Sequence, residues 1–336
     1  MTHYNKVKKE LQAKPGTWLI TGVAGFIGSH LLDTLLRLNQ RVIGLDNFSS
    51  GSPENLQRVL APLDMPLQKN FVFHEGDILS ASTCQRVMDK VDIILHQAAM
   101  ASVVQSINEP ALVHAVNTQG FLNILIAAKN AGIKRIVYAS TCAVYGNANK
   151  SPKTETDAIF PLTPYAASKA CNEIDAYAFA NTYDLETIGL RYFNVFGPHQ
   201  NPLGPYAAVL PAWLKALQEN TVIGINGDGH TSRDFCFVAD IVQANILSAL
   251  TTEQNALNTV YNVGSGIETT LNELAAFLKQ AFNRPNFPIQ YHPERSGDIR
   301  KSCASIEKIQ TKLHYQATKL DPSALTPAAM QIPFVQ

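Results

Sequence analysis

The residues TGVAGFIG, from Thr21 to Gly28, decide the fold of this 336-residue chain. They follow a short apolar run, Thr17–Thr21, typical of a buried strand, and they open a helix-length segment, Gly25–Leu38. Glycines here allow a tight turn and close approach of the backbone to a pyrophosphate at the helix N-terminus. Asp46 ends the next apolar run, where a carboxylate accepts hydrogen bonds from an adenosine ribose and repels a 2′-phosphate. The stretch predicts a dinucleotide site that prefers NAD to NADP.

The alternation of short apolar runs and longer amphipathic segments continues beyond this turn. Runs that are apolar on both faces are expected for a parallel sheet covered by helices. The further predicted strands are Arg41–Leu45, Phe71–Glu75, Val91–Leu95 and Arg135–Ala139, and the further predicted helices are Pro53–Leu60, Ser80–Lys90, Glu109–Asn130 and Pro164–Asn181. The order predicts an α/β fold, a Rossmann-type doubly wound parallel sheet.

The pattern changes after Arg191. Gly197–Pro205 contains three prolines, and irregular segments are expected from there to about Phe235. Asp234–Leu250 then has the pattern of one more strand and helix that return to the first lobe. We therefore expect a smaller, mixed C-terminal domain made of separated pieces. The predicted division is 1–195 with 236–265 for the NAD-binding domain and 196–235 with 266–336 for the substrate domain.

Composition narrows the class of protein. Lys plus Arg and Asp plus Glu both number 27, so neither nucleic acid nor an anionic membrane is an expected partner. Five scattered cysteines without a CxxC pair argue for a reducing compartment and against a disulfide framework or a metal site. Met1–Pro15 lacks the apolar core of a signal peptide, and no run reaches the roughly 18 apolar residues of a membrane span. We expect a soluble cytoplasmic protein.

Tyr165 and Lys169 stand four residues apart in the segment PYAASK, at the start of a predicted helix, so they share one face. A phenol with a pKa near 10 is a weak base at neutral pH, but a neighbouring ammonium and a positive nicotinamide ring favour the phenolate. Such pairs are also common on helix surfaces. Here the preceding predicted strand runs on to Ser140-Thr141, whose hydroxyl can position a reacting oxygen. The pattern predicts Tyr165 as base, Lys169 as its electrostatic partner and ribose ligand, and Thr141 as the positioning group.

The glycine spacing, the hydroxyl and the Tyr-x-x-x-Lys pair, in this order, resemble the extended short-chain dehydrogenase/reductase family. The segment TCAVYG, Thr141–Gly146, resembles that of UDP-hexose 4-epimerases, which invert a hydroxyl through a transient ketone with NAD retained. The related dehydratases have Asp-Glu where this chain has Cys142-Ala143, which disfavours dehydration. Cys142 itself is interpreted as a small buried filler. The resemblance also implies a homodimer through helices Glu109–Asn130 and Pro164–Asn181, which could equally face the chain's own core.

The cofactor contacts that the resemblance implies lie at the ends of the predicted strands. Asp77-Ile78 resembles an adenine-contacting pair, and the run HQAA, His96–Ala99, resembles a small-residue turn under the cofactor, although Ala98 and Ala99 also suit plain packing. The predicted NAD contacts are Gly22, Gly25, Phe26, Ile27, Gly28, Asp46, Asn47, Asp77, Ile78, Gln97, Ala98, Ala99, Tyr165 and Lys169.

Three later segments resemble the family's nucleotide-sugar contacts. Asn194 and Arg233 match family residues that contact the phosphates of the nucleotide sugar. In the run RSGD, Arg295 matches an arginine that binds phosphate, and Asp298 matches an aspartate that binds the ribose. Each arginine alone would suit a surface ion pair, but a guanidinium also binds pyrophosphate oxygens in pairs. Val222–Asn226 resembles a uridine-facing strand. The predicted substrate contacts are Ser102, Thr141, Asn194, Gln200, Val209, Asn226, Arg233, Arg295, Asp298 and Ser302.

Ser302 bears on the identity of the sugar. Epimerases restricted to glucose and galactose carry a bulky tyrosine at the matching place, so a serine leaves room for an N-acetyl group. Several segments resemble bacterial UDP-N-acetylglucosamine 4-epimerases of surface-polysaccharide biosynthesis. Pro198-His199 and Ser305 depart from that pattern, which leaves a C6-carboxylated sugar, as in UDP-glucuronate 4-epimerases, open. A net NAD-dependent nucleotide-sugar dehydrogenase or reductase is the other enzymatic alternative, and a non-catalytic cofactor sensor is disfavoured by the intact trio.

Overall fold

The computed structural model of the chain describes residues 1–147, 150–200, 209–294, 300–327 and 329–330. The strands are β1 (Thr17–Thr21), β2 (Arg41–Asp46), β3 (Phe71–Glu75), β4 (Ile93–His96), β5 (Arg135–Thr141), β6 (Glu186–Tyr192), β7 (Asn194–Phe196), β8 (Ile223–Asn226), β9 (Ser232–Arg233), β10 (Phe235–Phe237), β11 (Thr259–Val263), β12 (Thr269–Thr270), β13 (Ile289–His292) and β14 (Lys301–Ser302). The α-helices are α1 (His3–Ala13), α2 (Phe26–Arg37), α3 (Pro53–Leu60), α4 (Met65–Gln68), α5 (Ala81–Arg86), α6 (Val103–Asn108), α7 (Pro110–His114), α8 (Gly120–Ala131), α9 (Pro164–Tyr183), α10 (Val209–Gln218), α11 (Val238–Leu250), α12 (Leu271–Ala281) and α13 (Glu307–Leu313).

The central sheet has seven strands in the order β3-β2-β1-β4-β5-β6-β11, and every neighbouring pair is parallel. All five residues of β1 are buried because helices cover both faces of the sheet. α2 and α11 pack on one face, and α5, α8 and α9 pack on the other. The predicted Rossmann-type doubly wound fold is confirmed. The strand order reverses between β1 and β4, and in such sheets ligands bind beyond the carboxyl ends of the strands at that point.

The helix predicted over Glu109–Asn130 forms in three consecutive parts, since a π-helical turn, Ala115–Gln119, separates α7 from α8. Pro110–Ala131 is long and apolar enough to cross a membrane by length and composition alone, but half of its most apolar window is buried inside the protein. Asn123 in this segment donates to the backbone oxygens of Ile78 and Leu79. These contacts are those of a core helix in a globular protein.

Several helices were not predicted, α1 and α10 among them. The N-cap of α1 is Thr2, whose side chain accepts a hydrogen bond from Asn5 N. The helix buries Leu11 against the main core. Its lysines made this apolar face difficult to predict from the sequence. α10 lies where irregular structure was expected, so that expectation was wrong. Its buried apolar residues follow helical spacing: Leu210, Trp213, Leu214 and Leu217. The prolines of the preceding loop led to the prediction of irregular structure here.

The later part of the chain forms a second apolar cluster. Leu214 of α10 and Ile223 of β8 pack in the same cluster as Leu274 of α12 and Phe287. These residues come from both 196–235 and 266–336, whereas β11 joins the central sheet beside β6. The packing is compatible with the predicted division into two domains, which stays a prediction.

Candidate active site

The glycine-rich turn packs against the turn that follows β4. Gly22 has φ +70°, and a Cβ there would lie 2.7 Å from the backbone nitrogen of Ala98. A Cβ on Gly28 would lie 2.0 Å from the carbonyl oxygen of Gly22. Gly25 is the N-cap of α2, so Phe26, Ile27 and Gly28 lie in the first helical turn, where unpaired N–H groups favour an anion. The turn has the shape that a bound pyrophosphate requires.

A cleft lies at the carboxyl ends of the strands, where the sheet order reverses. The predicted cofactor residues that line it are Gly22, Gly25, Asp46, Asn47, Asp77, Ile78, Gln97, Ala98 and Ala99. Sequence reasoning missed Leu45, Ser49, Ser50, Gly76 and Val116, which also line it. The two serines follow Asp46 closely in a polar run, a signal that could have been used.

Asp46 is fixed at the end of β2 by backbone donors. Its Oδ2 accepts from Ala24 N at 2.9 Å and its Oδ1 from Phe48 N at 2.8 Å. Burial raises the pKa of this carboxyl, and the backbone hydrogen bonds oppose that shift. Each carboxylate oxygen keeps a further lone pair, so the group can still accept from a ribose hydroxyl.

Gln97 contributes to the cleft differently from its neighbours. Its Nε2 donates to Asn245 Oδ1 at 3.1 Å, and its Oε1 accepts from the Tyr192 hydroxyl at 3.1 Å. Asn245 Nδ2 donates to the same hydroxyl at 2.8 Å, which closes a polar triangle. The side-chain amide of Gln97 is therefore held on both sides by the protein.

Thr141 and Tyr165 meet at the end of β5. Thr141 is the last residue of that strand, and Tyr165 lies in the first turn of α9, whose N-cap is Thr163. Burial raises the pKa of Tyr165 to about 12, the hydrogen bond with Thr141 lowers it, and Cys142 raises it. Tyr165 therefore needs nearby positive charge before it can act as a base near neutral pH.

Lys169 lies one turn further along α9 and is 2% exposed. Burial lowers the pKa of its ammonium to about 8, and the carboxylate of Glu173 opposes that shift. An ammonium group carries three hydrogen-bond donors, so Lys169 suits the ribose hydroxyls of a bound dinucleotide. Together with the glycine turn and Asp46, it makes the cleft fit NAD.

Two predicted substrate residues lie beside this trio. Ser302 of β14 pairs in parallel register with Arg233 of β9, and the Cys142 thiol hydrogen-bonds with the Ser302 side chain. Burial raises the pKa of Cys142 to about 11, and the Arg233 charge opposes the shift. The thiol is therefore protonated at neutral pH and is no nucleophile. Sequence reasoning gave Cys142 no site role, although its position next to Thr141 was a signal.

Asn194 and Gln200 lie on the segment that follows β6. Asn194 begins β7, and its backbone N–H donates to the Asp234 carbonyl at 3.0 Å. Gln200 Nε2 donates to the Val195 carbonyl at 3.2 Å, while its Oε1 is buried and accepts from no described residue. That oxygen suits a hydroxyl or amide donor of a sugar.

The remaining predicted substrate residues occupy separate elements. Ser102 is the N-cap of α6, and its hydroxyl accepts from Gln105 N at 3.1 Å. Val209 begins α10, and Asn226 ends β8 opposite His292 of β13. Arg295 and Asp298 lie outside the described residues. The contacts of these residues with a nucleotide sugar stay predictions.

Known proteins resemble the chain over most of its length. The family model "NAD dependent epimerase/dehydratase family" matches residues 18–264. The UDP-glucose 4-epimerase of Mycolicibacterium smegmatis is 36% identical over 300 residues, which cover 89% of this chain and 92% of the relative. The solved UDP-N-acetylglucosamine 4-epimerase from Methanobrevibacter ruminantium, in complex with UDP-N-acetylmuramic acid, is 36% identical with a TM-score of 0.83, covering 93% and 94% of the two chains. The UDP-glucose 4-epimerase of Thermotoga maritima, solved with UDP-glucose, is 34% identical with a TM-score of 0.84, covering 94% and 98%. The chain therefore belongs to the NAD-dependent epimerase/dehydratase family, and NAD is its cofactor.

Proposed function

We propose that the chain interconverts UDP-N-acetylglucosamine and UDP-N-acetylgalactosamine, by inverting the C4 hydroxyl through a 4-keto intermediate. The broader activity, that of an NAD-dependent UDP-sugar 4-epimerase, follows from the family and from the relatives. The observation that supports the reaction is the hydrogen bond between Thr141 and Tyr165, with buried Lys169 one turn further along α9.

The chain's own residues handle the proton. The Tyr165 phenolate removes the proton of O4, and Thr141, already hydrogen-bonded to Tyr165, holds that oxygen in line. The Lys169 ammonium stabilises the phenolate. When bound, NAD supplies hydride-transfer chemistry in both directions. After the keto sugar has rotated, Tyr165 returns its proton to O4, so neither protons nor redox equivalents accumulate.

Inversion requires that the keto sugar rotates to present its opposite face without leaving the active site. Arg233 lies near Cys142 and pairs in register with Ser302. We propose that its guanidinium holds the pyrophosphate. Asn194, Arg295 and Asp298 are the further anchors that we propose. Binding energy from the UDP part keeps the sugar in the site while it rotates about its link to the phosphates.

The choice of an N-acetylated sugar rests on Ser302. Its small side chain contacts Cys142 next to the catalytic trio, where a larger residue would take up the space of a C2 substituent. A relative that is 36% identical acts on UDP-N-acetylglucosamine, which supports the same choice here. We expect UDP-glucose to be a second substrate, since a roomy pocket does not reject the smaller sugar.

Proton NMR of purified protein with UDP-N-acetylglucosamine, without added NAD, tests the proposal. We expect the anomeric signal of UDP-N-acetylgalactosamine to appear, because a retained cofactor is regenerated in each turnover. If UDP-glucuronate alone reacts, the C6-carboxylated alternative replaces the acetylated sugar. Accumulation of NADH would identify a net dehydrogenase instead.

We also propose that the protein is a cytoplasmic homodimer. Large apolar side chains on α6, α7, α8 and α9 face outward in the monomer: Ile107, Leu112, Ile126, Ile174 and Tyr177. A set of this size on one group of helices is typical of a protein–protein interface. A second copy of the chain would cover it.

A further inference from the structure

A buried ion pair between Glu173 and Arg191 joins α9, the helix that carries Tyr165 and Lys169, to the central sheet. Arg191 of β6 donates to both carboxylate oxygens of Glu173, at 2.8 Å from Nε and 2.6 Å from Nη2. The two side chains are 5% and 9% exposed, respectively. Ser140 Oγ adds a third donor to the same carboxylate at 2.6 Å. Glu173 thus connects α9 to both β5 and β6, although it touches neither Thr141 nor Tyr165.

Arg191 is held in turn by the segment after β5. Its Nη1 donates to the Tyr145 hydroxyl at 2.9 Å, and that hydroxyl donates to Asn262 Oδ1 of β11 at 2.6 Å. The guanidinium also lies 4.8 Å from the centre of the Tyr145 ring. Such a connected polar network fixes the carboxylate in one position.

We propose that Glu173 is a positioning residue for the reaction, acting through a hydrogen bond on the Thr141 end of β5 and through its charge on Lys169. The proposal rests on the proposed epimerase function. It assigns a role to a residue that makes no contact with the reacting atoms.

The hydrogen bond between Ser140 and Glu173 affects the placement of Thr141 relative to Tyr165. Ser140 immediately precedes Thr141, so its bond to Glu173 fixes the end of β5 against α9. Tyr165 lies two turns before Glu173 on the same helix. The relative placement of the Thr141 and Tyr165 hydroxyls is therefore set in part by this contact.

The charge acts on Lys169, one turn away from Glu173. Burial lowers the pKa of Lys169 to about 8, and the Glu173 carboxylate is the group that opposes this. Tyr165 adds a negative charge only as the phenolate that forms during the reaction, and the other described titratable groups nearby add none. Burial lowers the pKa of His96 on β4 to about 3, and burial raises the pKa of Tyr138 on β5, so both are neutral, while Arg191 is a cation bound to Glu173. Loss of the carboxylate therefore lowers the pKa of Lys169 further.

The pH profile of kcat/KM separates the two effects. In Glu173→Gln we expect the alkaline limb to move to lower pH by about one unit or more, because Lys169 loses its proton earlier. Ser140→Ala keeps the charge, so we expect a lower kcat with an unmoved alkaline limb. The wild-type profile comes first: no turnover there on any UDP-sugar defeats the proposed function, whereas wild-type turnover with an unmoved limb in Glu173→Gln overturns only the present inference.

Thermal unfolding against pH gives a readout that is independent of turnover. The folded pKa of Lys169, about 8, lies below its ordinary 10.5, so the wild type gains stability as pH rises through that window. In Glu173→Gln the gain should begin at lower pH. If this variant does not fold, Glu173→Gln/Arg191→Gln removes both charges of the pair, so Arg191 is not left as an unpaired buried ion. We expect its alkaline limb and its stability gain to shift in the same direction, and an unchanged onset and limb would refute the charge effect.

Discussion

Tyr165 is surrounded by groups that oppose its ionisation as much as they assist it. Burial raises the pKa of its phenol to about 12, and the hydrogen bond from Thr141 recovers part of that shift. The remainder has to come from Lys169 and from a bound nicotinamide cation. We therefore expect Tyr165 to be a weak base near neutral pH without the bound cofactor.

Replacing Tyr165 with Phe removes the proton acceptor and little else, because the ring keeps its place at the start of α9. We expect kcat for 4-epimerisation to fall by at least about 10²–10⁴-fold. UDP-sugar affinity should stay within about threefold of wild type, since the proposed UDP anchors are untouched. NMR turnover assays and calorimetric titration with UDP measure the two quantities. Substantial turnover in this variant would show that another group is the base.

Ser302 tests the size of the sugar pocket. Ser302→Tyr places a large ring beside Cys142, where the proposed C2 substituent lies. We expect kcat/KM for UDP-N-acetylglucosamine to fall by about tenfold or more, with UDP-glucose affected much less. Ser302→Ala, which stays small, is the matched control and should keep both activities. Equal losses for the two sugars in Ser302→Tyr would place the acetyl group elsewhere.

The glycine turn and α2 act as one element. Its function depends on how closely the backbone of the turn approaches the helix, which side chains would prevent. A Cβ at Gly28 lies 2.0 Å from the Gly22 carbonyl oxygen, whereas one at Gly25 lies 3.2 Å from the same atom. The two positions therefore differ in tolerance although the sequence pattern treats them alike.

Gly28→Ala should destabilise the fold by about 1–3 kcal/mol, since the clash involves backbone that cannot rotate away. The shifted turn should also leave the purified protein with less bound NAD. Gly25→Ala, with the milder contact, is the comparison and should lose less stability. Urea unfolding midpoints and the NAD content after extraction measure the two effects. If the two variants were equally stable, the close approach at Gly28 would not be rigid.

The elements also show which features a sequence can predict. β1 to β5 and the Tyr-Lys helix were predictable because their apolar runs and spacing are local, whereas β6 and β11 of the same sheet were not predicted. The side-by-side placement of Arg233 and Ser302 is not local, because it arises from the pairing of β9 with β14 across about seventy residues. The side chain of Gln97 is engaged by Tyr192 and Asn245 for the same reason: its partners come from β6 and α11. α10 was not predicted although its apolar residues have helical spacing, because the proline-rich loop before it favoured a prediction of irregular structure.

At the scale of the whole molecule, the apolar residues on α6 to α9 are the feature that the monomer leaves unexplained. Ile174 and Tyr177 are 64% and 65% exposed on α9, the helix that carries Tyr165 and Lys169. Their burial by a second chain would brace the catalytic helix from outside, as the Glu173–Arg191 pair braces it from inside. Assembly and activity should then be linked.

Charges at this surface test that link. We expect Ile174→Glu/Tyr177→Glu to convert a dimer into a monomer of 36.7 kDa, because an interface cannot bury four unpaired carboxylates, two from each chain. Sedimentation equilibrium measures the mass, and NMR turnover of the same samples measures the activity, which should fall with the dimer fraction. Met65→Glu, on α4 and 62% exposed, is the matched control and should change neither. A wild-type protein that sediments as a monomer at all concentrations would rule out the dimer, and an active monomeric variant would rule out the link between assembly and catalysis.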